Sequence, residues 1–304
     1  MPRTEHAAKI TTVALHEDEI PVDEPVIRSL LARDRPEWAG LPLRRAGAGT
    51  DNTMFRLGDE LLVRAPRNAY NAGMLAKERT WLPRLAPLLP LAIPEPVHHG
   101  SPSDAYPLPW AVYRWIDGAE PGPDTVDDWA AFGRDLAGFV RTLHGLDISD
   151  ATLTGYRGGL LRDAGAWVDR SFAACAGLIP GLGTLERMWR DALALPDPTG
   201  PRVPLHADLK PTNLLARDGA LHAVIDFAGL IVGHPDAEHA TTWDLPAEAR
   251  EAYRAALDID DETWQRARAW AIVVGVSGVA YYRNTFPEFV AECRARLAAV
   301  LAAS

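Results

Sequence analysis

Two neighbouring stretches of the sequence carry most of the structural information: HADLKPTNLL at residues 206–215 and AVIDF at residues 223–227. The first places an acid, Asp208, five residues before an amide, Asn213, and the second is an apolar run that reaches a second acid, Asp226. Transfer of a γ-phosphoryl group depends mainly on positioning and charge neutralisation. One carboxylate can orient the attacking hydroxyl and accept its proton, while an amide oxygen and a second carboxylate can hold Mg²⁺, which prefers oxygen ligands. Asp208, Asn213 and Asp226 supply that set in this order.

Each of these residues alone also has a simpler interpretation. Asp208 and Asn213 are common turn residues, and Asp226 could merely end a strand. The combination of His206, the acid, the amide and the later Ile-Asp-Phe favours the catalytic interpretation. We predict that His206 packs against the loop and braces it with a hydrogen bond, because Asp208 already fills the role of proton acceptor.

The composition is that of a globular protein with an acidic balance of charge. The chain has 304 residues, of which 47% are hydrophobic and 24% charged, and this is enough for one large domain or two modest ones. Asp and Glu outnumber Lys and Arg by 41 to 31. This balance argues against nucleic acid as a partner, because a phosphate backbone requires a basic surface.

The cysteines and the apolar runs indicate the compartment. Only two cysteines occur, Cys175 and Cys293, so the sequence excludes a disulfide framework. Residues 1–20 lack the apolar core of a secretory signal. The longest nearly apolar stretch, residues 270–282, is shorter than the roughly 20 residues that a membrane helix needs. We therefore predict a cytoplasmic protein that neither spans nor binds a membrane.

The periodicity of the apolar residues changes near residue 117. Before that point the pattern predicts a helix capped by Asp23, a hairpin over 53–64, a helix over 72–85 and strands at 94–97 and 109–116. After it the pattern predicts short strands between 203 and 227 and helices over 125–143, 164–176, 185–195, 247–257, 264–282 and 287–301. We expect an N-terminal extension at 1–22, a small β-rich lobe at 23–116 and a larger helical lobe at 117–304, with a ligand cleft between the lobes.

These features together resemble the aminoglycoside phosphotransferase family, the small-molecule branch of the protein-kinase-like fold. Members share a His-x-Asp-x-x-x-x-Asn loop and a following strand that ends in Asp. The resemblance extends over most of the chain and includes GTDN at 49–52, the Lys77-Glu78 pair and YRWIDG at 113–118. It implies an α+β, bilobal protein-kinase-like fold. It also implies an enzyme that uses ATP and Mg²⁺ to phosphorylate a hydroxyl of a small molecule, such as an aminoglycoside or another antibiotic.

The resemblance implies roles for residues of the small lobe. Backbone N–H groups in the turn before the hairpin would cradle the phosphates, and the turn consists of Gly49, Thr50, Asp51 and Asn52. The strand lysine that contacts the α- and β-phosphates in this family is replaced by Arg64, with Glu78 as its natural partner. Arginine can bind phosphate bidentately, although its planar head would change the pose of the phosphate or reduce activity. The alternative is a surface ion pair without a ligand.

Further residues would contact the base and the γ-phosphate. The backbone of the connector would recognise adenine, through the carbonyl of Arg114 and the N–H of Ile116 on either side of Trp115. Lys210 lies two residues after Asp208, where it would neutralise the charge that develops on the γ-phosphate. A solvated loop lysine is the alternative for Lys210.

One motif departs from the pattern of the family. Members have Gly-Asp-Pro after the second acid, and this Asp helps to fix the active-site loop, whereas this chain has Gly-His-Pro at 233–235. We expect a neutral His234 to form the hydrogen bond in place of the acid. Metal binding by His234 and His239 is a weaker alternative, because their spacing fits a helix face poorly.

The sequence does not identify the acceptor molecule. Acidic candidates for binding a polycationic acceptor are Asp163, Asp169, Glu238, Asp244 and the cluster at 258–262. Aromatic candidates for lining an apolar, macrolide-like pocket are Trp167, Trp243, Trp264 and Tyr281, although aromatic residues at helical spacing more often fill a core.

Two other functions stay open at this point. A protein kinase would also accept the His-x-Asp-Leu-Lys-Pro-x-Asn loop, but no Ala-Pro-Glu motif follows Asp226. A catalytically weak homologue that binds a nucleotide or a metabolite is suggested by Arg64 and His234, and the intact acid–amide–acid set argues against it. The sequence decides neither the oligomeric state nor the choice between ATP and GTP.

Overall fold

Five strands form one antiparallel sheet in the first part of the chain. The computed structural model describes residues 18–48, 51–148 and 152–303. The strands follow the spatial order β1-β2-β3-β5-β4 and comprise β1 (Leu43–Ala48), β2 (Asn52–Leu57), β3 (Leu61–Pro66), β4 (Pro96–Gly100) and β5 (Trp110–Arg114). The predicted hairpin is confirmed as β2–β3, and its turn uses Gly58 at φ 58°, where a residue with a side chain would be strained.

Two helices pack against this sheet. Helix α1 (Glu24–Asp34) begins as predicted at Asp23, whose carboxylate accepts the Val26 N–H at 3.0 Å. Helix α2 (Ala69–Leu85) begins three residues before the predicted start, because Asn68 caps it. The apolar residues of α1 pack with those of β2, β3 and β5 into the core of the small lobe.

The second part of the chain is mainly helical. Its helices are α3 (Trp129–His144), α4 (Gly165–Ala174), α5 (Leu182–Leu193), α6 (Ala247–Leu257), α7 (Asp261–Tyr282) and α8 (Pro287–Ala302). Two short antiparallel ribbons lie among them: β6 (Val203–Leu205) pairs with β9 (Ile231–Gly233), and β7 (Leu214–Arg217) pairs with β8 (Ala220–Val224). These ribbons carry the HADLKPTNLL and AVIDF stretches.

One apolar cluster continues from the small lobe into the large one. It joins Leu75 of α2 and Tyr113 of β5 to Leu136 of α3, Leu214 of β7 and Val224 of β8. The ribbon β7–β8 is also tied to the small lobe by the Val224 N–H, which donates to the carbonyl of Ala92 at 3.0 Å. The chemistry-bearing loops therefore lie on a core that both lobes share.

The mixed α+β architecture and nearly all predicted elements are confirmed. Several elements had not been predicted, among them strands β1 and β9 and a 3₁₀-helical segment at Pro235–Asp244. These three are built from short runs that lack a clear period of 2 or 3.6 residues. Within the described residues, no helix combines the length and the apolar character that crossing a bilayer demands.

Candidate active site

Asp208 lies on the loop between β6 and β7, and both of its carboxylate oxygens are hydrogen-bonded. Asn213 Nδ2 donates to Oδ2 at 3.0 Å and to the backbone carbonyl of Asp208 at 2.8 Å. Arg157 Nη1 donates to Oδ1 at 2.6 Å. A 3₁₀ turn at Pro211–Asn213 brings the amide back towards the acid. Because each carboxylate oxygen has two lone pairs, the group can still accept a proton from a substrate.

The neighbouring cations keep Asp208 ionised. Burial alone would raise the pKa of this carboxyl, but Arg157 and Lys210 outweigh burial and lower the pKa to about 2. Asp208 is therefore a carboxylate at neutral pH, which is the form that can accept a proton.

His206 braces the loop, as predicted. Its ring is buried, lies edge-on to Phe227 with 4.7 Å between the ring centroids, and holds the Ile225 carbonyl at 3.0 Å through Nε2. A carbonyl only accepts, so Nε2 carries the proton and Nδ1 can accept the Asp208 N–H at 3.3 Å. Burial lowers the pKa of His206, which agrees with this neutral tautomer.

Glu238 is the second brace of the loop, and the sequence did not reveal this role. Its side chain is 1% exposed, and its carboxylate accepts the backbone N–H groups of both His206 and Ala207. Burial raises the pKa of Glu238 to about 7. Ala207 itself adopts φ 66°, in the left-handed region that residues with a side chain rarely occupy.

Two expectations about this part of the chain are wrong. His234 does not replace the missing acid of the Gly-Asp-Pro motif: its Nδ1 is buried and has no hydrogen-bond partner among the described residues. Glu238, four residues after His234, fixes the loop instead, through the N–H groups of His206 and Ala207. Because it is buried and already bonded to the loop, Glu238 cannot also serve as a contact for a cationic acceptor.

Asp226 follows β8 and lies beside the same loop. It adopts φ 66°, and the N–H of the preceding Ile225 donates to the Asn213 carbonyl at 2.9 Å. Its side chain is 37% exposed, and Oδ1 accepts from Arg64 Nη2 at 3.1 Å. The structure thus brings Asp208, Asn213 and Asp226 to one place at the edge of the large lobe.

Arg64 and Glu78 form a buried pair rather than a surface pair. Arg64 Nη1 donates to both oxygens of Glu78, at 2.9 and 3.0 Å, and the side chains are 8% and 0% exposed. The Tyr113 hydroxyl donates to the same carboxylate. Burial alone would lower the pKa of Arg64, but Glu78 and Asp226 outweigh burial and hold it above its usual value. Arg64 therefore links helix α2 to Asp226.

Lys77 makes a second link between α2 and the segment after Asp226. Its Nζ donates to the carbonyl oxygens of Ala228 and Leu230, at 2.7 and 2.9 Å. The sequence placed Lys77 in the resemblance only as the neighbour of Glu78. Nothing in its own pattern indicated a contact with the large lobe.

The turn predicted to cradle phosphates is described only in part. Gly49 and Thr50 lie outside the described residues. The Asp51 carbonyl accepts the Arg67 N–H at 2.9 Å and Asn71 Nδ2 at 3.1 Å, and Asn52 is the first residue of β2 and is buried. The start of the hairpin is thus anchored to the residues around the N-terminus of α2.

The connector leaves β5 at Arg114. The Arg114 N–H donates to the Glu95 carbonyl at 2.9 Å, and the Trp115 N–H donates to the Glu60 carbonyl at 2.7 Å. The Trp115 indole donates to Asp117 at 2.7 Å. Ile116 is half-buried. These contacts with Glu95 and Glu60 hold the connector in place from two sides, so a nucleotide base bound there would meet backbone groups in fixed positions.

Lys210 is half-buried, and its ammonium lies 5.2 Å from the centre of the Phe289 ring, at the N-terminal part of α8. It also contributes to the low pKa of Asp208. These two contacts place the lysine between the catalytic loop and an aromatic group of the large lobe, which differs from a fully solvated loop lysine.

Most of the acids proposed for a cationic acceptor have internal partners. Asp244 pairs with Arg296, Asp163 accepts the Leu160 N–H at 3.2 Å, and Asp260 caps α7. Within the cluster at 258–262, Asp261 and Glu262 contact Arg254 and Arg266. Asp169 is exposed. These acids do not form a shared anionic pocket.

The aromatic candidates divide into two groups. Trp243 is buried and packs against Trp264 at 4.7 Å between ring centroids, so this pair belongs to the core. Trp167 contacts Tyr156, the residue before Arg157, and Tyr281 is 68% exposed. Trp167 is half-buried, so both members of this second group present part of their surface to solvent.

Asn213 and Asp226 fit a magnesium ion by the chemistry of their donor atoms. The amide nitrogen of Asn213 serves Asp208, so the amide oxygen is the atom that could bind a cation. Arg64 contacts Oδ1 of the half-exposed Asp226, which leaves Oδ2 as a further oxygen donor. Among the described residues, no group of three or more His, Cys, Asp and Glu could hold a metal ion, so the alternative with His234 and His239 has no support.

A comparison with protein families now identifies the chain. The model of the phosphotransferase enzyme family (APH) matches residues 42–270, well over half of the chain, including every loop described above. The chain belongs to this family. The resemblance deduced from the sequence is thereby confirmed, and the protein is a small-molecule kinase by family. No curated protein matches the chain in sequence.

Solved structures of phosphotransferases have the same fold. The GDP complex of wild-type aminoglycoside 2'-phosphotransferase-IIIa aligns with a TM-score of 0.76 and 18% identity, over 93% of this chain and 100% of that one. The apoenzyme of macrolide 2'-phosphotransferase MphH from Brachybacterium faecium aligns with a TM-score of 0.59 and 23% identity, over 92% and 98%. A macrolide 2'-phosphotransferase type I gives 0.62 and 20%, over 92% and 98%. These likenesses confirm the bilobal, kinase-like fold.

Proposed function

We propose that this phosphotransferase transfers the γ-phosphoryl group of ATP to a hydroxyl of a small molecule. The observation that carries the proposal is the convergence of Asp208, Asn213 and Asp226, in which the base is ionised and fixed at both oxygens. The solved relatives named above include a GDP complex, which supports a nucleotide as the phosphoryl donor.

The geometry supports a distinct role for each residue. Asp208 would orient the acceptor hydroxyl and take its proton. Asn213 and Asp226 would hold Mg²⁺, which neutralises the charge of the phosphate oxygens when it is bound. Lys210 would face the γ-phosphate from the acceptor side, where its charge stabilises the transferring group.

The small lobe would bind the nucleotide, and we propose residues 23–116 as this lobe and 117–304 as the catalytic lobe. Arg64 would contact the α- and β-phosphates while Glu78 holds its other face. The base would meet the backbone of Arg114, Trp115 and Ile116. The turn formed by Gly49, Thr50, Asp51 and Asn52 would cover the phosphates.

The acceptor carries few positive charges in our proposal. The acids that a polycationic aminoglycoside would require are mostly engaged with Arg254, Arg266 and Arg296 or with backbone groups. Two cationic side chains, Arg157 and Lys210, lie beside Asp208 instead. Tyr156, next to Arg157, is 55% exposed and contacts the half-buried Trp167, and this aromatic pair suits a macrolide-like acceptor with a large apolar surface.

A screen of acceptors with the purified protein tests the proposal. ADP release in the presence of Mg-ATP should rise with erythromycin-type macrolides more than with kanamycin, and Asp208→Asn should abolish the rise. GTP in place of ATP tests the choice of nucleotide. Turnover of a peptide panel would favour a protein kinase, and nucleotide binding without turnover of any acceptor would favour a non-catalytic homologue.

We also propose a cytoplasmic location. Cys175 and Cys293 are buried and unpaired, as expected in a reducing compartment. Fractionation of cells that produce the protein tests this location directly.

A further inference from the structure

The segment that carries Arg157 is pinned to strand β9. The Val232 N–H donates to the Leu153 carbonyl at 2.8 Å, and the His234 N–H donates to the Gly158 carbonyl at 3.1 Å. A Cβ built on Gly233 would lie 2.2 Å from the Cα atom of Gly158, so the two backbones touch. The 3₁₀ turn at Tyr156–Gly158 therefore has a fixed position relative to the catalytic loop.

From this position the Arg157 guanidinium reaches the catalytic loop. Nη1 donates both to the Ala207 carbonyl and to Asp208 Oδ1, and Nε donates to the Tyr156 hydroxyl at 3.0 Å. The side chain is only 21% exposed. A planar guanidinium with several fixed donors suits such a multiple contact better than an ammonium does.

Ala207 requires these contacts because its backbone is strained. The left-handed region is unfavourable for a residue with a side chain, and such a conformation persists only where the surroundings hold it. The Ala207 N–H is held by Glu238, and the Ala207 carbonyl is held by Arg157. Two side chains, from segments on either side of the loop in sequence, thus hold both backbone groups of the residue before Asp208.

We propose that Arg157 is a positioning residue that clamps the strained Ala207 together with Glu238 and thereby fixes the carboxylate of Asp208. The kinetic part of this inference rests on the proposed phosphotransferase function, whereas the structural part does not. Arg157 acts on the reaction through Asp208 and does not itself bind the acceptor.

The test compares Arg157→Gln and Arg157→Lys with the wild-type protein. Arg162→Gln is the matched control, because Arg162 belongs to the next 3₁₀ turn and its side chain is 60% exposed. Thermal melting of all four full-length proteins first establishes that they fold. Crystal structures then report the φ angle of Ala207 and the position of the Asp208 carboxylate.

We expect Ala207 to leave the left-handed region, or the Asp208 carboxylate to rotate away from Asn213, in Arg157→Gln. Arg157→Lys should retain the loop in part, and Arg162→Gln should retain it fully. An unchanged loop in Arg157→Gln would overturn the clamp. This readout needs no turnover, so it decides the inference even if the proposed function fails.

Steady-state kinetics separate positioning from acceptor binding. With the acceptor from the screen, or with Mg-ATP hydrolysis by water, Arg157→Gln should lower kcat by about 10- to 100-fold, because a small misplacement of a reacting group has effects of that size. The KM for the acceptor should stay within a few-fold, and Arg157→Lys should recover part of kcat. A large rise in this KM with kcat retained would show that Arg157 binds the acceptor and would overturn the proposal.

Discussion

The pair of Arg64 and Glu78 offers the sharpest test of the small lobe. Replacing Arg64 by Met removes the cation from a carboxylate that is 0% exposed and leaves it a buried charge with the Tyr113 hydroxyl as a donor. Breaking a buried pair on one side costs about 3–5 kcal/mol, whereas an exposed pair contributes about 0–1 kcal/mol. We therefore expect Arg64→Met to lower the free energy of unfolding by about 3–5 kcal/mol.

A double variant shows whether the lost stability comes from the unpaired charge of the buried Glu78 carboxylate. Adding Glu78→Gln to Arg64→Met removes the buried charge and keeps an acceptor for the Tyr113 hydroxyl, so it should recover at least half of the lost stability. Nucleotide binding should not recover, because neither variant offers a cation to the phosphates. Stability and nucleotide affinity would thus separate in one pair of proteins.

Urea unfolding measures the first quantity, and calorimetry with Mg-ATP measures the second. Arg44→Met is the control, because Arg44 is an exposed residue of β1, and it should change stability by less than about 0.5 kcal/mol. A loss below about 1 kcal/mol in Arg64→Met would refute the reasoning, since that is the behaviour of a surface pair.

Three further outcomes are expected. Asp208→Asn should lower turnover by at least about 100-fold and leave ATP affinity nearly intact, and activity within a few-fold of wild type would contradict its role as the base. Burial raises the pKa of Glu238 from 4.5 to about 7. Between pH 4.5 and 7 the carboxyl is therefore protonated in the folded state and ionised in the unfolded state, so its contribution to the free energy of unfolding falls as the pH rises. The free energy of unfolding of wild type relative to Glu238→Gln should therefore fall by about 2–3 kcal/mol from pH 4.5 to 7, and parallel pH curves for the two proteins would show that Glu238 does not titrate there. Lys77→Met should lower the free energy of unfolding by about 1–3 kcal/mol, because two charged hydrogen bonds are lost. Arg79→Met, on the exposed face of α2, should change it little. Equal unfolding curves for the two variants would refute the link between α2 and the segment after Asp226.

Much of the fold could be predicted because local sequence features, such as caps, turn residues and apolar periodicity, determine most of the helices and strands. The cap at Asp23, the Gly58 turn and the period of the apolar residues in α3 each determine their own element. The 3₁₀ segment at Pro235–Asp244 could not be predicted, because eight of its ten residues are buried by tertiary packing and show no helical face. Packing, rather than propensity, determines its conformation.

The site was predictable where one short stretch holds all the partners. The spacing of Asp208 and Asn213 already implies their contact, and the apolar run before Asp226 implies a strand that ends beside them. The roles of Arg157 and Glu238 could not be predicted, because these residues lie about 50 and 30 residues away in sequence from the loop that they contact. Nothing local distinguishes them from other arginines and glutamates.

Helix α2 presents two adjacent side chains to Asp226 and to the segment that follows it. Glu78 reaches Asp226 through Arg64, while Lys77 holds the carbonyls of Ala228 and Leu230. Successive residues of a helix point about 100° apart, so turning α2 about its axis would release both grips at once. If the cleft opened by rotation of α2, the contacts of this helix with Asp226 and with the carbonyls of Ala228 and Leu230 would break. If it opened by a hinge at the connector, with α2 and this segment moving together, these contacts would be kept.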